Sequence, residues 1–216
     1  LNEIGDKNKK ILLASSGEVY GEPKKIPTDE RVSLVVKDIF NNRYSYGGGK
    51  ICQDLIARYL ISKVVKECII FRPHNVYGPN MGFDHVIPEL MMKSLKAKNK
   101  ITIEGSGKET RSFCYISDAT AAFFTVLLLG APGQPYNVGI ETETTISELV
   151  GEILKVATKY NSQISYSTSK TNKTVRRGSI DRSCFDITKI KSLGWSPKHS
   201  LADGIKKTLK YYGYEV

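Results

Sequence analysis

A tyrosine and a lysine four residues apart are the clearest candidates for chemistry in this sequence of 216 residues. On a helix, Tyr46 and Lys50 would lie on one face, about one turn apart. A phenol has a pKa of about 10 and is a poor base at neutral pH, but a neighbouring cation stabilises its phenolate. The spacing therefore predicts a general base made of Tyr46 with Lys50, the alternative being a surface tyrosine and lysine with no such role.

The segments around this pair predict a strand, a helix and a second strand. Residues 11–16 form a short apolar run that ends in two serines. Apolar residues then recur at helical spacing over 46–66, and residues 67–73 indicate another buried strand. Such a unit is a parallel, right-handed crossover, which binds ligands beyond the carboxyl ends of its strands. We therefore expect function near Ser16 and Asn75.

The rest of the chain continues this alternation of helices and strands. The patterns predict a helix capped by Ser117 or Asp118 and running to Leu129, a strand over 136–139, a helix over 146–159 with Thr145 or Ser147 near its start, loop and edge strand over 161–174, and a helix over 201–212.

The composition is that of an ordinary globular protein, with 40% hydrophobic and 25% charged residues. No apolar run approaches the roughly 18 residues of a membrane helix. Four dispersed cysteines without a C-x-x-C pair favour reduced thiols and a cytoplasmic protein. No histidine has a cysteine or a second histidine at ligand spacing, so we expect no metal site.

The net charge of +10 is concentrated near the end of the chain, where residues 155–216 hold 13 basic and 4 acidic side chains. A basic excess suits nucleic acid or a phosphorylated small molecule, with a solvated surface as the alternative. The sequence has no helix-turn-helix and no aromatic RNA-binding signature, so we expect no nucleic-acid partner.

An ordered set of short motifs runs through nearly the whole chain. The motifs are A-S-S-G-E-V-Y-G at 14–21, Y-x-x-x-K at 46–50, R-P-H-N-V-Y-G-P at 72–79, G-S-G-K-E-T-R-S-F at 105–113, Y-N-V-G at 136–139, D-R at 181–182 and L-G-W-x-P at 193–197. This set resembles the extended short-chain dehydrogenase/reductase family, specifically its nucleotide-sugar epimerases, dehydratases and decarboxylases.

The resemblance implies NAD as the cofactor and chemistry at C4 of a sugar. Ser16 would hydrogen-bond the sugar 4-oxygen, and Tyr46 would take the 4-hydroxyl proton as hydride leaves C4 for NAD. Lys50 would hold the nicotinamide ribose and lower the pKa of Tyr46. Ser15 and Pro73 are expected to line the same cofactor site.

The substrate that the resemblance implies is a nucleotide-diphosphate sugar. Asn75, Arg111 and Arg182 would bind its diphosphate, a task that suits guanidinium groups. Val86 would shape the sugar pocket. For Arg111, the alternative is a structural ion pair with a carboxylate.

The reaction branch stays open at this point. Glu18 would remove the C5 proton once C4 is a ketone, with capping or packing as the alternative. The 4,6-dehydratases carry an aspartate where this chain has Gly17, which counts against standard dehydration. Gly49-Lys50 and the region of Arg111-Ser112-Phe113 are similar to decarboxylases of the UDP-glucuronate type, whereas residues 177–182 are more similar to dehydratases and epimerases.

The family begins with a strand and a G-x-x-G-x-x-G loop that binds pyrophosphate, and no such loop occurs in these 216 residues. We therefore expect the first half of the dinucleotide-binding domain to lie outside this chain, and we expect no signal peptide at its start. The expected fold is α/β, with a partial Rossmann domain built on a doubly wound parallel sheet over 1–79 and 109–139. A smaller α/β substrate-binding domain is expected over 80–108 and 140–216.

The function expected is that of an NAD-dependent nucleotide-sugar epimerase or dehydratase acting through a transient 4-keto sugar, incomplete in this chain. The alternatives are a nucleotide-sugar decarboxylase, or a non-catalytic fragment or subunit that only binds nucleotide sugar. The complete enzyme is expected to be a homodimer packed through the helix of Tyr46, and this dimer is expected to be compromised here.

Overall fold

A computed structural model of the chain describes residues 9–157, 165–169 and 181–214. The strands in these ranges are β1 (Lys10–Ala14), β2 (Glu67–Pro73), β3 (Val76–Tyr77), β4 (Lys100–Glu104), β5 (Thr110–Arg111), β6 (Cys114–Tyr115), β7 (Pro135–Val138), β8 (Thr144–Thr145), β9 (Ser165–Ser169) and β10 (Arg182–Ser183). The helices are α1 (Ser45–Tyr59), α2 (Val86–Lys96), α3 (Ile116–Leu129), α4 (Ile146–Ala157), α5 (Thr188–Lys191) and α6 (Leu201–Tyr211), with short 3-10 turns at Gly17–Tyr20, Asn42–Tyr44 and Ile61–Lys63.

A parallel sheet of three strands, in the order β1-β2-β7, carries one layer of helix on each face. Cys68 and Ile70 of β2 point to the α1 side, where they pack with Ala57. Ile69 and Phe71 point to the opposite side, in the cluster that contains residues of α3. Alternate residues of a strand face opposite sides, so β2 is apolar throughout because both of its faces are buried. The α/β fold with a parallel Rossmann-type sheet is confirmed.

The predicted crossover is present, with one difference at the end of its helix. The second strand spans Glu67–Pro73, as predicted. The helix ends at Tyr59 rather than at residue 66, and a 3-10 turn at Ile61–Lys63 follows. Val64 packs against the cluster that includes Cys68 and Ile70, so the apolar spacing continues past the end of the helix. The turn returns the chain to the sheet without a glycine or proline to mark it.

The start of α3 differs from the prediction in its capping. Tyr115 occupies the N-cap, and no side chain caps the helix there. The carboxylate of Asp118 instead accepts the backbone N–H groups of Lys198 and His199, at 3.0 and 2.9 Å. The expectation that Ser117 or Asp118 caps this helix is therefore wrong, because a distant segment of the chain binds the carboxylate.

Helices α4 and α6 begin at side-chain caps. Thr145 accepts the N–H of Glu148 at 3.0 Å, and the Glu148 carboxylate accepts the N–H of Thr145 at 2.7 Å, which is a capping box at the start of α4. A second capping box, between Ser200 and Asp203, starts α6. Of the predicted stretch 161–174, only β9 lies within the described residues, and it pairs in parallel with β4.

Two large apolar clusters fill the interior. One joins the central sheet to α3 and to Phe185, Ile187, Ile190 and Trp195. The other joins α2, α4 and α6 to β4. The domain boundaries given above stay a prediction. Within the described ranges, no helix is long and apolar enough to cross a membrane.

A buried polar network ties α1 to the sheet and to the turn after β1. Arg72 of β2 donates to Asp54 of α1 through Nε and Nη2, at 3.0 and 2.7 Å. Its Nη1 donates to the hydroxyl of Tyr20 at 2.7 Å, and this hydroxyl donates to Asn137 of β7 at 2.7 Å. Burial raises the pKa of Tyr20 to about 12, so the hydroxyl remains a donor at neutral pH.

We expect Asp54→Ala to destabilise the protein by about 3–5 kcal/mol, because it leaves the buried Arg72 guanidinium without its carboxylate. The free energy of unfolding, measured by urea denaturation, checks this. The matched control is Glu89→Ala, which breaks the exposed Glu89–Lys93 pair of α2 and should cost less than about 1 kcal/mol. Equal effects of the two substitutions would show that the network has no special role.

Candidate active site

The predicted pair on α1 lies at the carboxyl end of β1. Lys50 Nζ donates a hydrogen bond of 2.8 Å to the carbonyl of Ala14, the last residue of that strand. The same nitrogen is 5.7 Å from the centroid of the Tyr46 ring. Tyr46 is 56% exposed. The two side chains therefore share one face of the helix, with the cation close to the phenol and the phenol open to a ligand.

The two serines that follow β1 are buried beside this pair. Ser16 Oγ accepts the backbone N–H of Glu18 at 3.2 Å and so caps the 3-10 turn that begins at Gly17. The Ser16 hydroxyl proton is left for another acceptor. Ser15 Oγ is buried and has no hydrogen-bond partner among the described residues.

A close approach between backbones brings α1 against this turn. A Cβ atom on Gly47 would lie 2.7 Å from the carbonyl oxygen of Glu18, which is too short for any side chain. Glycine is required at position 47 because the helix lies directly on the turn. Tyr46 and Glu18 are held on adjacent elements by this contact.

A cleft of about 290 Å³ opens next to the turn. Glu18, Asn75 and Val86 all line it, and Tyr77 and Phe113 are among its apolar walls. The structure thus brings together three candidate site residues that lie far apart in the sequence.

An arginine that the sequence analysis did not select also approaches Glu18. Arg43 Nη2 is 3.6 Å from Glu18 Oε2, and the side chain of Glu18 is 43% exposed. Arg43 precedes α1 by two residues, in the 3-10 turn that leads into the helix. No motif marks it, and its only signal in the sequence is its position three residues before Tyr46.

Arg111 is half-buried near the same acid. Burial lowers the pKa of its guanidinium, Glu18 acts in the opposite direction, and Arg43 adds to the lowering. Its Nη1 donates to the carbonyl of Thr110 at 2.7 Å. No carboxylate in the described part of the chain forms an ion pair with Arg111, so the alternative of a structural pair finds no support there.

The contacts of Arg182 are with residues that do not line the cleft. Its Nε and Nη2 donate to the two carboxylate oxygens of Glu143, at 3.0 and 2.5 Å, and its side chain is 59% exposed. β10 pairs in parallel with β5, which places Arg182 opposite Thr110. Binding a diphosphate through Arg182 requires this guanidinium to exchange its carboxylate partner, and the role stays a prediction.

Pro73 ends β2 beside the same edge of the sheet. It is opposite Val138 of β7, while Ala14 of β1 is opposite Phe71. Ser15 therefore follows β1, and Pro73 is the last residue of the neighbouring strand β2. Both lie at the carboxyl ends of the strands, where a parallel sheet binds its ligands.

The space beside Gly17 is filled by an aromatic stack. The ring of Phe185 lies on that of His74, with centroids 4.1 Å apart and an angle of 16° between the planes. A Cβ atom on Gly17 would lie 2.3 Å from Phe185 Cζ and 3.2 Å from His74 Cδ2. Position 17 therefore has no room for a side chain, and an acid there would displace Phe185.

Comparisons with known proteins identify the family of the chain. Residues 1–208 match the protein family described as GDP-mannose 4,6 dehydratase. The chain is 32% identical over 203 residues to a mouse dTDP-D-glucose 4,6-dehydratase, a match that covers 94% of this chain and 55% of the mouse protein. The chain therefore spans about half the length of that relative.

Two solved structures have the same fold. A Bacillus anthracis dTDP-glucose 4,6-dehydratase in complex with NAD superposes with a TM-score of 0.75 at 27% identity, covering 94% of this chain and 61% of that one. A Thermotoga maritima UDP-glucose 4-epimerase with UDP-glucose gives a TM-score of 0.75 at 25% identity, covering 95% of this chain and 63% of that one.

We expect Gly17→Ala to destabilise the protein by about 1–3 kcal/mol, because the new methyl group overlaps the ring of Phe185. Urea denaturation gives the change in unfolding free energy. Gly49→Ala in α1 is the matched control: a Cβ there meets no atom within 4 Å, and alanine in a helix should stabilise by about 0.5–1 kcal/mol. An unchanged stability of Gly17→Ala would mean that Phe185 does not occupy this space.

Proposed function

This chain belongs to the GDP-mannose 4,6 dehydratase family, and we propose that it takes part in the NAD-dependent conversion of a nucleoside-diphosphate sugar through a transient 4-keto sugar. The observation that carries the proposal is the attachment of α1 to the end of β1. The hydrogen bond from Lys50 to Ala14 and the contact of Gly47 with Glu18 place a phenol, an ammonium, a hydroxyl and a carboxylate around one end of the sheet.

Tyr46 is the proposed base for the sugar 4-hydroxyl. The Lys50 ammonium lies 5.7 Å from the centroid of its ring. Ser16 uses its oxygen to cap the turn, so its O–H can donate to the same sugar oxygen. Together these groups remove a proton at one atom and hold that atom in place.

Glu18 is the proposed second acid/base. Its carboxylate is partly exposed on the wall of the cleft, with Arg43 at 3.6 Å. A proton on the carbon next to a ketone is acidic enough for a carboxylate to remove it. Arg43 and Arg111 are the two cations near this carboxylate.

The residues present fit the nicotinamide end of NAD. Ser15 offers a buried hydroxyl without a partner among the described residues, and Lys50 offers an ammonium at the end of β1. The sequence contains no G-x-x-G-x-x-G loop for the pyrophosphate. When bound, NAD would supply a reversible hydride acceptor for the sugar carbon.

The diphosphate of the substrate is the proposed ligand of Asn75 and Arg111, with Arg182 as a further contact. Arg111 suits this role because its guanidinium is half-buried and no carboxylate of the described residues forms an ion pair with it. The basic excess of residues 155–216 would attract such an anion. Val86 lines the same cleft and is the proposed contact of the sugar.

The stack of His74 and Phe185 bears on the reaction branch. Because no side chain fits at position 17, the turn supplies no acid there for a leaving 6-hydroxyl. This favours epimerisation, or decarboxylation as the alternative, over dehydration assisted at that position.

We also propose that the complete enzyme is a homodimer packed through α1. The helix exposes Leu55, Ile56 and Tyr59, together with Leu60 just after its end, at 44–57% each. Such an apolar surface is typical of an interface between protein chains.

Product mass tests the proposal directly. The purified chain is incubated with NAD and one nucleotide sugar at a time: UDP-glucose, dTDP-glucose, GDP-mannose or UDP-glucuronate. The products of each reaction are analysed by mass spectrometry and chromatography. An isomer of unchanged mass indicates epimerisation, a loss of water indicates dehydration, and a loss of carbon dioxide indicates decarboxylation. Binding of nucleotide sugar without turnover would favour the non-catalytic alternative, and no binding of any of them would contradict the proposal.

We expect Tyr46→Phe to lower turnover by about 10²–10⁴-fold with little change in affinity for the nucleotide sugar, because only the proton transfer is lost. Steady-state kinetics and calorimetric binding measure the two quantities. Tyr59→Phe is the matched control, since Tyr59 lies on the same helix with a similar exposure of 57%. A Tyr46→Phe variant as active as the control would show that this phenol is not the base.

A further inference from the structure

His74 is a buried histidine that the proposed chemistry does not use. It follows β2 directly, precedes Asn75, and is 7% exposed. Its ring is clamped in orientation by the stack on Phe185. A buried polar ring held in one orientation presents its two nitrogens in fixed directions.

The hydrogen bonds of His74 determine which nitrogen carries the proton. Nε2 lies 3.1 Å from Asn75 Nδ2 and 2.7 Å from Ser183 Oγ. An amide nitrogen can only donate, so Nε2 must be the unprotonated nitrogen, and its lone pair accepts from both the Asn75 N–H and the Ser183 O–H. The ring proton is therefore on Nδ1, which has no partner among the described residues.

The ring stays neutral under ordinary conditions. Burial lowers the pKa of His74 to about 3, and the nearby Arg111 guanidinium acts in the same direction. A neutral ring keeps the Nε2 lone pair available across the pH range in which most enzymes work.

The hydrogen bond that His74 accepts fixes the side chain of Asn75, which lines the cleft. Asn75 has a backbone φ of 41°, in the left-handed region, and lines the cleft together with Glu18 and Val86. Its amide has two N–H groups, and His74 takes one of them. The second N–H is left to donate to a ligand in the cleft.

We propose that His74 is a positioning residue: its Nε2 orients the Asn75 carboxamide so that the remaining N–H meets the diphosphate of a nucleotide ligand, with Ser183 and Phe185 fixing the imidazole. This inference rests on the proposed function, because it requires a nucleoside diphosphate in the cleft. It adds a residue whose action on the ligand passes entirely through Asn75.

A double-mutant cycle on ligand affinity tests the coupling. The chain and its variants His74→Phe, Asn75→Ala and the double substitution are titrated with UDP and with dTDP by calorimetry. Phenylalanine keeps the aromatic stack but accepts no hydrogen bond, so His74→Phe should weaken binding by about tenfold. The same substitution in the Asn75→Ala background should have no further effect, because the group it orients is gone.

The control variant is His74→Gln, whose side-chain oxygen can accept the Asn75 N–H and should restore most of the affinity. A purely structural role for His74 predicts instead that His74→Phe weakens binding equally in both backgrounds and that His74→Gln does not rescue it. That result would overturn the inference while leaving the proposed function intact. Failure of the unsubstituted chain to bind either of these nucleotides or GDP would overturn the proposed function, and the positioning role with it.

A spectroscopic measurement on the unsubstituted chain covers the case in which His74→Phe does not fold. The ¹⁵N chemical shifts of the imidazole report which nitrogen is protonated. We expect Nε2 unprotonated and Nδ1 protonated, with no change from neutral pH down to about pH 5, which is about two units above the depressed pKa. A proton on Nε2 would overturn the inference, because that nitrogen could not then accept from Asn75.

Discussion

The buried ion pair between Asp54 and Arg72 is the interaction on which the geometry of the site depends. It joins α1, which carries Tyr46 and Lys50, to the central strand of the sheet, and both side chains are 5% exposed. Taking two charges out of water is costly, and the cost is offset here only because Arg72 also donates to Tyr20, which donates in turn to Asn137. The network thereby fixes the helix, the turn after β1 and β7 in one arrangement. Several motif residues thus serve to hold the site together rather than to touch a ligand.

The parts of the fold set by local sequence patterns could be predicted, and those set by distant contacts could not. The strand at Glu67–Pro73 is predictable because burial on both faces demands an unbroken apolar run. The end of α1 at Tyr59 is not, because apolar residues at helical spacing continue into the following turn. Asp118 has the residue type and place of a helix cap, yet the backbone of Lys198 and His199 binds it from 80 residues away.

The candidate site shows the same division. The proximity of Tyr46 and Lys50 follows from helical spacing alone, and Glu18 and Asn75 line one cleft near the strand ends where function was expected. The ion pair of Arg43 with Glu18, the pairing of Arg182 with Glu143 and the filling of the space at Gly17 by Phe185 all join residues that no short pattern connects. Such contacts depend on the packing of whole segments, which a sequence pattern does not report.

The packing of α1 at Gly47 also has an evolutionary consequence. The helix that carries Tyr46 and the turn that carries Ser16 and Glu18 meet backbone to backbone, so neither can shift without the other. A separate segment, around Phe185, contacts the turn through side chains. A duplicated gene could therefore acquire substitutions in that second segment while inheriting the arrangement of Tyr46, Ser16 and Glu18 unchanged.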